Sequence, residues 1–189
     1  SWAEENGAVF ELVAQWRRTR YFPKAGEDMH AAVNRECRMV RSSVGIFDAS
    51  TLGKIEVVGP DAAEFLNRMY TNPWKSLAPG RCRYGLLLKE DGFITDDGVS
   101  ARLAEDRFHL TTTTGGAARV LNMMEDYLQT EWPDLNVWLT STTEQYALIA
   151  LQGPNARKVL EPLVEGIDLS AEAFPHMAVR EGTICGIPT

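Results

Sequence analysis

Apolar residues first fall into a regular rhythm between residues 28 and 43, where Met29, Ala32, Val33, Cys37 and Val40 recur at helical spacing with charged residues between them. This pattern predicts an amphipathic helix that ends near Ser42. Next come a short apolar run, Val44-Gly45-Ile46-Phe47, closed by polar turn formers, and the alternating stretch Lys54-Ile55-Glu56-Val57-Val58, which predicts a half-buried strand. Gly59-Pro60 breaks that strand. Pro60 suits the first turn of a helix, Asp61 and Glu64 complement its positive end, and Phe65, Leu66 and Met69 form its buried stripe.

The same unit of strand, Gly-Pro break and helix occurs again, with Ala147 to Ala156 repeating Ile55 to Ala62 and Val159, Leu160 and Leu163 forming the second inner stripe. A period this long, present twice, is not that of a solenoid; it predicts two related halves that share one sheet, unless two unrelated turns both use Gly-Pro. Between the copies, residues 83–88 and 93–103 predict two strands joined at Asp91-Gly92. Residues 107–113 predict another strand, residues 117–130 a helix with Val120, Leu121, Met124 and Leu128 inside, and residues 137–140 a further strand. Without strict βαβ alternation, the expected fold class is α+β, an antiparallel sheet flanked by helices. Residues 1–27 carry Phe10, Trp16, Tyr21 and Phe22 in a polar background. They are expected to be an extension whose aromatics pack on the domain of residues 28–189 or on a neighbouring subunit.

The chain has 189 residues, 44% hydrophobic and 24% charged, enough for a packed core of ordinary size. Its net charge of -7, with no basic cluster beyond Arg17, Arg18 and Arg20, argues against a nucleic-acid footprint. It contains neither a run long enough to span a membrane nor, at its start, the basic and apolar regions of a signal peptide, so a cytoplasmic protein with no membrane partner is expected. Cys37, Cys82 and Cys185 lie far apart and match no metal-ligand spacing, as do His30, His109 and His176. Reduced thiols and no metal site are expected.

Chemistry is most concentrated at Asp96-Asp97, set in an apolar strand region. Neighbours on a strand face opposite ways, so one carboxylate should point inward, where desolvation penalises it unless it meets a donor or a ligand. Functional use and a plain turn-forming pair are both compatible with that placement. The run Thr111-Thr112-Thr113-Thr114-Gly115-Gly116 closes a strand and opens a helix, which exposes backbone donors to an anion or polar ligand edge, although β-propensity alone would also favour threonines there. Trp74, Tyr84, Trp132 and Tyr146 could stack on a flat ligand, and Arg83 could pair with a carboxylate.

Taken together, residues 44–50, Lys54-Ile55-Glu56-Val57, Gly59-Pro60-Asp61-Ala62, Arg83-Tyr84 and Gly92-Phe93-Ile94-Thr95-Asp96-Asp97 closely resemble the aminomethyltransferase family, the T-proteins of glycine cleavage. Within that family, residues 51–57, Asp96-Asp97-Gly98-Val99, residues 111–118 and residues 129–135 are most similar to the carboxy-terminal part of the alpha subunit of heterotetrameric sarcosine oxidases. The resemblance implies a T-protein-like fold of two similar halves and tetrahydrofolate as ligand. It implies that Asp96 sits against the reactive pterin nitrogens as acid/base, that Leu52 and Tyr84 lie along the folate, and that Thr112 and Thr113 line the same pocket where T-proteins commonly carry Val-Asn. The implied function is capture of the one-carbon unit from sarcosine oxidation as methylenetetrahydrofolate, with other sarcosine oxidase subunits as partners. Flavin and nicotinamide sites would lie outside this chain. The family carries a pterin-binding glutamate shortly beyond a Gly-Ile-Pro-Thr segment, and this chain stops at Gly186-Ile187-Pro188-Thr189, so a truncated, weakly binding and inactive fragment is expected. A free aminomethyltransferase of glycine cleavage and a non-catalytic folate-binding or assembly module are the alternative readings.

Overall fold

The computed structural model describes residues 1–189. In chain order its elements are α1 (Trp2–Glu5), β1 (Val9–Val13), β2 (Trp16–Tyr21), α2 (Met29–Ser42), β3 (Gly45–Asp48), β4 (Gly53–Val58) and α3 (Ala62–Met69). They continue as β5 (Arg81–Leu88), β6 (Ile94–Ala104), β7 (Arg107–Thr112), α4 (Ala117–Thr130), β8 (Trp138–Ser141), β9 (Ile149–Gln152) and α5 (Ala156–Leu160). Three two-residue strands close the chain: β10 (Val164–Glu165), β11 (Thr183–Ile184) and β12 (Ile187–Pro188). No helix is long and apolar enough to cross a membrane. The chain forms two compact units, one of residues 1–51, 147–166 and 182–189, the other of residues 52–146 and 167–181.

In the first unit, residues expected to form a bare extension make a helical turn and a β-hairpin. Ser1 caps α1 in a box with Glu4, and β1 pairs with β2 from Val9↔Tyr21 to Val13↔Trp16. The aromatics find local partners, Trp2 edge-on to Phe22 and Arg17 over Phe10. Helix α2 starts where the pattern predicted, because the Asp28 carboxylate accepts the N–H of Ala31 at 2.8 Å, an N-cap bond that satisfies an otherwise orphaned donor. Its apolar stripe is only partly covered, since Ala32 alone is buried and Val33 and Met39 are exposed. Strands β3 and β9 pair antiparallel, Gly45↔Gln152 to Asp48↔Ile149.

The second unit holds the main core. Its five strands run in the order β5-β6-β7-β4-β8, every pair antiparallel. Ile55, Val57, Leu87, Phe108 and Leu110 project from one sheet face onto Phe65 and Leu66 of α3, Val120 and Met124 of α4, and Trp74. Burial of such side chains contributes about 2 kcal/mol each. Strand β4 is more enclosed than alternation alone predicts. Lys54, at a position that alternation assigns to solvent, is 1% exposed, and its ammonium donates to the carbonyls of Leu52 and Thr143, both at 3.0 Å. Those carbonyl dipoles replace water around the charge, which is how a lysine occupies a covered strand position.

The Gly-Pro repeat is real in three dimensions. Gly59 and Gly153 both adopt positive φ, 139° and 117°, and the residues at the two N-caps, Asp61 and Asn155, have nearly the same backbone angles, φ/ψ −101°/10° and −100°/6°. In each copy the alanine that opens the helix donates its N–H to the glycine carbonyl at 3.0 Å. A Cβ would lie 2.2 Å from the Asn136 carbonyl oxygen at position 59 and 2.5 Å from those of Ser43 and Val40 at position 153, so both turns require glycine. The copies do not share one sheet as expected: β4 belongs to the five-stranded sheet and β9 to the two-stranded one.

Candidate functional site

The β5–β6 hairpin sorts the acidic pair. Across it Tyr84 lies opposite Val99 and Leu86 opposite Asp97, whereas Gly85 lies opposite Gly98 and Leu87 opposite Asp96. Directly opposed residues in an antiparallel pair share a face, so Tyr84, Leu86, Asp97 and Val99 form one face and Gly85, Leu87, Asp96 and Gly98 the other. The second is the helix-covered face, since Gly85 backs onto Trp74 and Tyr70.

Asp96 is therefore the member of the pair that points inward, and it is 4% exposed. The donors that meet its carboxylate come from its own chain. Oδ1 accepts the backbone N–H groups of Asp97 and Thr113, each at 2.9 Å, and Oδ2 accepts the Thr113 hydroxyl at 2.8 Å with the Arg119 guanidinium at 3.7 Å. Gly116 packs so closely that a Cβ there would lie 1.7 Å from Oδ2. The threonine-glycine run ahead of α4 does attract an anion, and that anion is the Asp96 side chain. Three hydrogen-bond donors and a guanidinium around a buried carboxylate make Asp96 a fastening between β6 and the start of α4, because each bond to an ionised acceptor contributes more than a neutral one.

On the other face, the Tyr84 hydroxyl donates to Asp97 Oδ2 at 2.6 Å. Tyr84 is 50% exposed and Val99 is exposed beside it, so a flat, partly apolar surface borders a carboxylate with a free oxygen edge. The hydrogen bond to Asp97 raises the Tyr84 pKa above its usual value, because ionising the phenol would remove the donor and place two anions together. The neighbouring Thr111 hydroxyl accepts the Val99 N–H at 2.9 Å and donates to the Val99 carbonyl at 3.0 Å, closing the ladder where β6 and β7 part. Farther along this face His109 stands edge-on to Tyr146, and burial lowers its pKa. Arg107 there is ion-paired with Glu56, which raises the guanidinium's pKa.

The other residues singled out from the sequence fall elsewhere. Thr112 is buried, donates to the Thr113 carbonyl at 3.0 Å, and packs against Gly53, where a Cβ would lie 2.1 Å from its hydroxyl. The Thr113 hydroxyl is spent on Asp96. Leu52 is half-buried and gives its carbonyl to Lys54. Arg83 is on the helix-covered face, bonded to the Pro73 carbonyl and lying over Trp74, and so does not accompany Tyr84. The sequence reading named Asp97 only as the partner of Asp96 and Thr111 only as part of the threonine-glycine run, and gave Val99 no role of its own. Counting strand register back from Asp91-Gly92 carries the missing signal, because it puts 84 and 97 on the same side.

The GCVT N-terminal domain family matches the chain over residues 1–189. The chain is 57% identical over 97% of its length to the sarcosine oxidase subunit alpha of Corynebacterium sp. (strain P-1), and 48% identical over 98% to that of Rhizobium meliloti. It spans 19% of the length of each of these relatives. An aminomethyltransferase of Symbiobacterium thermophilum is 34% identical over 90% of the chain, which spans 46% of it. Among solved structures, the glycine cleavage system aminomethyltransferase T from Bartonella henselae superposes with a TM-score of 0.74 and 32% identity, covering 86% of this chain and 41% of the other. A chain of the heterotetrameric sarcosine oxidase from Corynebacterium sp. U-96 gives a TM-score of 0.55 at 15% identity over 84% of this chain and 75% of that one, a likeness of fold.

Proposed function

Because the chain belongs to the GCVT N-terminal domain family, with a T-protein fold and sarcosine oxidase alpha subunits among its relatives, we propose that it binds tetrahydrofolate on the Tyr84–Asp97 face. There it serves capture of the one-carbon unit released by sarcosine oxidation. The observation that carries this reading is the carboxylate of Asp97, held by a 2.6 Å bond from an exposed aromatic ring. We assign to Asp97 the acid/base role that the resemblance gave to Asp96, because Asp96 already accepts three hydrogen bonds from its own chain.

The residues present fit such a ligand. Tyr84 and Val99 offer a flat apolar surface for a heteroaromatic ring. Tetrahydrofolate, when bound, supplies the amines that take up the one-carbon unit. Asp97 accepts a hydrogen bond from such an amine, stabilises the positive charge that the nitrogen gains as it bonds to carbon, and takes its proton, a general-base contribution of about 10²- to 10⁴-fold. Tyr84 fixes the carboxylate's orientation. With its pKa raised it stays a neutral donor near neutral pH.

The 57% and 48% identity to oxidase alpha subunits supports the oxidase reading over free aminomethyl transfer. Flavin and nicotinamide chemistry, and the partner subunits, belong in this proposal to the remainder of the assembly. Calorimetric titration with tetrahydrofolate tests the site. Asp97→Asn is expected to weaken binding about tenfold or more, whereas Asp96→Asn retains the wild-type affinity in its folded fraction; equal affinity in wild type and Asp97→Asn would overturn the assignment.

A further inference from the structure

The two Gly-Pro copies share a turn geometry but not an environment. Ile149 is the counterpart of Ile55, and Val159, Leu160 and Leu163 are the counterparts of Phe65, Leu66 and Met69. In the first copy these positions belong to the core: Ile55 is 1% exposed, and Phe65 and Leu66 are fully enclosed. In the second, Ile149 is 53% exposed, Val159 41% and Leu163 42%. Ile46 and Phe47 of the neighbouring β3 are exposed as well. A two-stranded ribbon is marginal by itself, and apolar side chains grouped in water mark a surface that another layer covers.

Strand pairing shows what kind of layer fits. β8, which leads into the second copy, pairs with β4 of the first, from Ile55↔Ser141 to Val58↔Trp138. β3, which leads into the first copy, pairs with β9 of the second, from Asp48↔Ile149 to Gly45↔Gln152. The copies have thus exchanged leading strands in the same antiparallel register. On its other edge β4 is met by β7, and α4 shares the core with α3. Both β7 and α4 come from the chain that follows the first copy. β9 has no strand on its other edge, because its sheet consists of β3 and β9 alone. Such an edge offers unpaired backbone groups to an incoming strand.

We infer that β9 and α5 receive a further segment of the same polypeptide, a β7-like antiparallel strand followed by an α4-like amphipathic helix, whose apolar face covers Ile149, Val159 and Leu163. The relatives have chain to supply it, since the match spans 19% of the oxidase alpha subunits and 46% of the aminomethyltransferase. A second copy of this chain is no substitute, because its own β7 lies between β6 and β4 and has no free edge. The inference rests on reading the chain as part of an oxidase alpha subunit, but not on the folate face.

Hydrogen exchange and photo-crosslinking test it in a sarcosine oxidase assembled with an alpha subunit that carries this chain. The amides of residues 149–152 are expected to exchange at least about tenfold more slowly there than in this chain alone, as an edge strand does when it gains a partner. The photo-crosslinker p-benzoylphenylalanine in place of Val159 is expected to join a peptide of the same alpha subunit outside residues 1–189. Equal exchange at 149–152 in the two preparations, or a crosslink to another subunit or to a second alpha subunit, would refute the inference. Tetrahydrofolate titration is a separate readout, so the folate site and this docking surface can fail independently.

Discussion

Tyr84 reaches across the β5–β6 hairpin to Asp97 at 2.6 Å, on the opposite sheet face from the neighbouring carboxylate of Asp96. Two adjacent acids thus have separate work: one fastens the fold, the other faces outward beside an aromatic ring. Removing the hydroxyl with Tyr84→Phe leaves Asp97 without its orienting donor. The expected result is a loss of folate affinity smaller than that of Asp97→Asn with no change in unfolding midpoint, since the bond is exposed; calorimetry and urea titration on the same variants check both.

Asp96→Ala removes a buried acceptor from two backbone N–H groups and a hydroxyl. The expected cost is about 3 kcal/mol, because the donors stay buried without their partner. A fall in the urea midpoint without a change in its slope is the signature.

Hairpin placement, helix boundaries, the Gly-Pro repeat and the opposite facing of Asp96 and Asp97 were all legible in the sequence, because periodicity and turn chemistry are local properties. Which carboxylate is held by its own chain and which faces outward was not. Alternation says that 96 and 97 face opposite ways, but not that the inward one finds its donors in Thr113 and Arg119, residues brought up by β7 and α4. Lys54 shows the same gap: its position alternates as solvent-facing, and only the pairing of β4 with β8 brings the Thr143 carbonyl that lets the charge be buried. The hairpin of residues 9–21 was missed for another reason, since its strands show no strict alternation and are tied across the middle by ion pairs such as Arg18–Glu11 at 2.7 Å.

Gly59→Ala and Gly153→Ala are expected to destabilise by about 2 kcal/mol each, combining positive φ with a carbonyl oxygen inside contact distance. Gly92→Ala also falls at a positive φ, 82°, but with open space around it, so it reports a backbone cost alone and should be the mildest of the three. Chemical denaturation of the three variants side by side checks the order.

His109 gives stability a pH dependence of predictable sign. Burial lowers its pKa in the folded state below the ordinary value of 6.5, so the unfolded chain binds the proton more readily. Its contribution is present above about pH 6.5 and is lost as the pH falls from there through the lower folded value. His109→Gln is expected to flatten that part of the stability profile, measured as urea midpoints between about pH 7 and about pH 5.

The most direct measurement of the proposed function is product partition during sarcosine turnover with tetrahydrofolate present, in a sarcosine oxidase assembled with an alpha subunit that carries this chain. With Asp97→Asn, sarcosine oxidation should continue near the wild-type rate while free formaldehyde replaces methylenetetrahydrofolate, and Asp96→Asn should keep folate coupling in proportion to its folded fraction. Coupling lost in a fully folded Asp96→Asn enzyme and retained in Asp97→Asn would contradict the account.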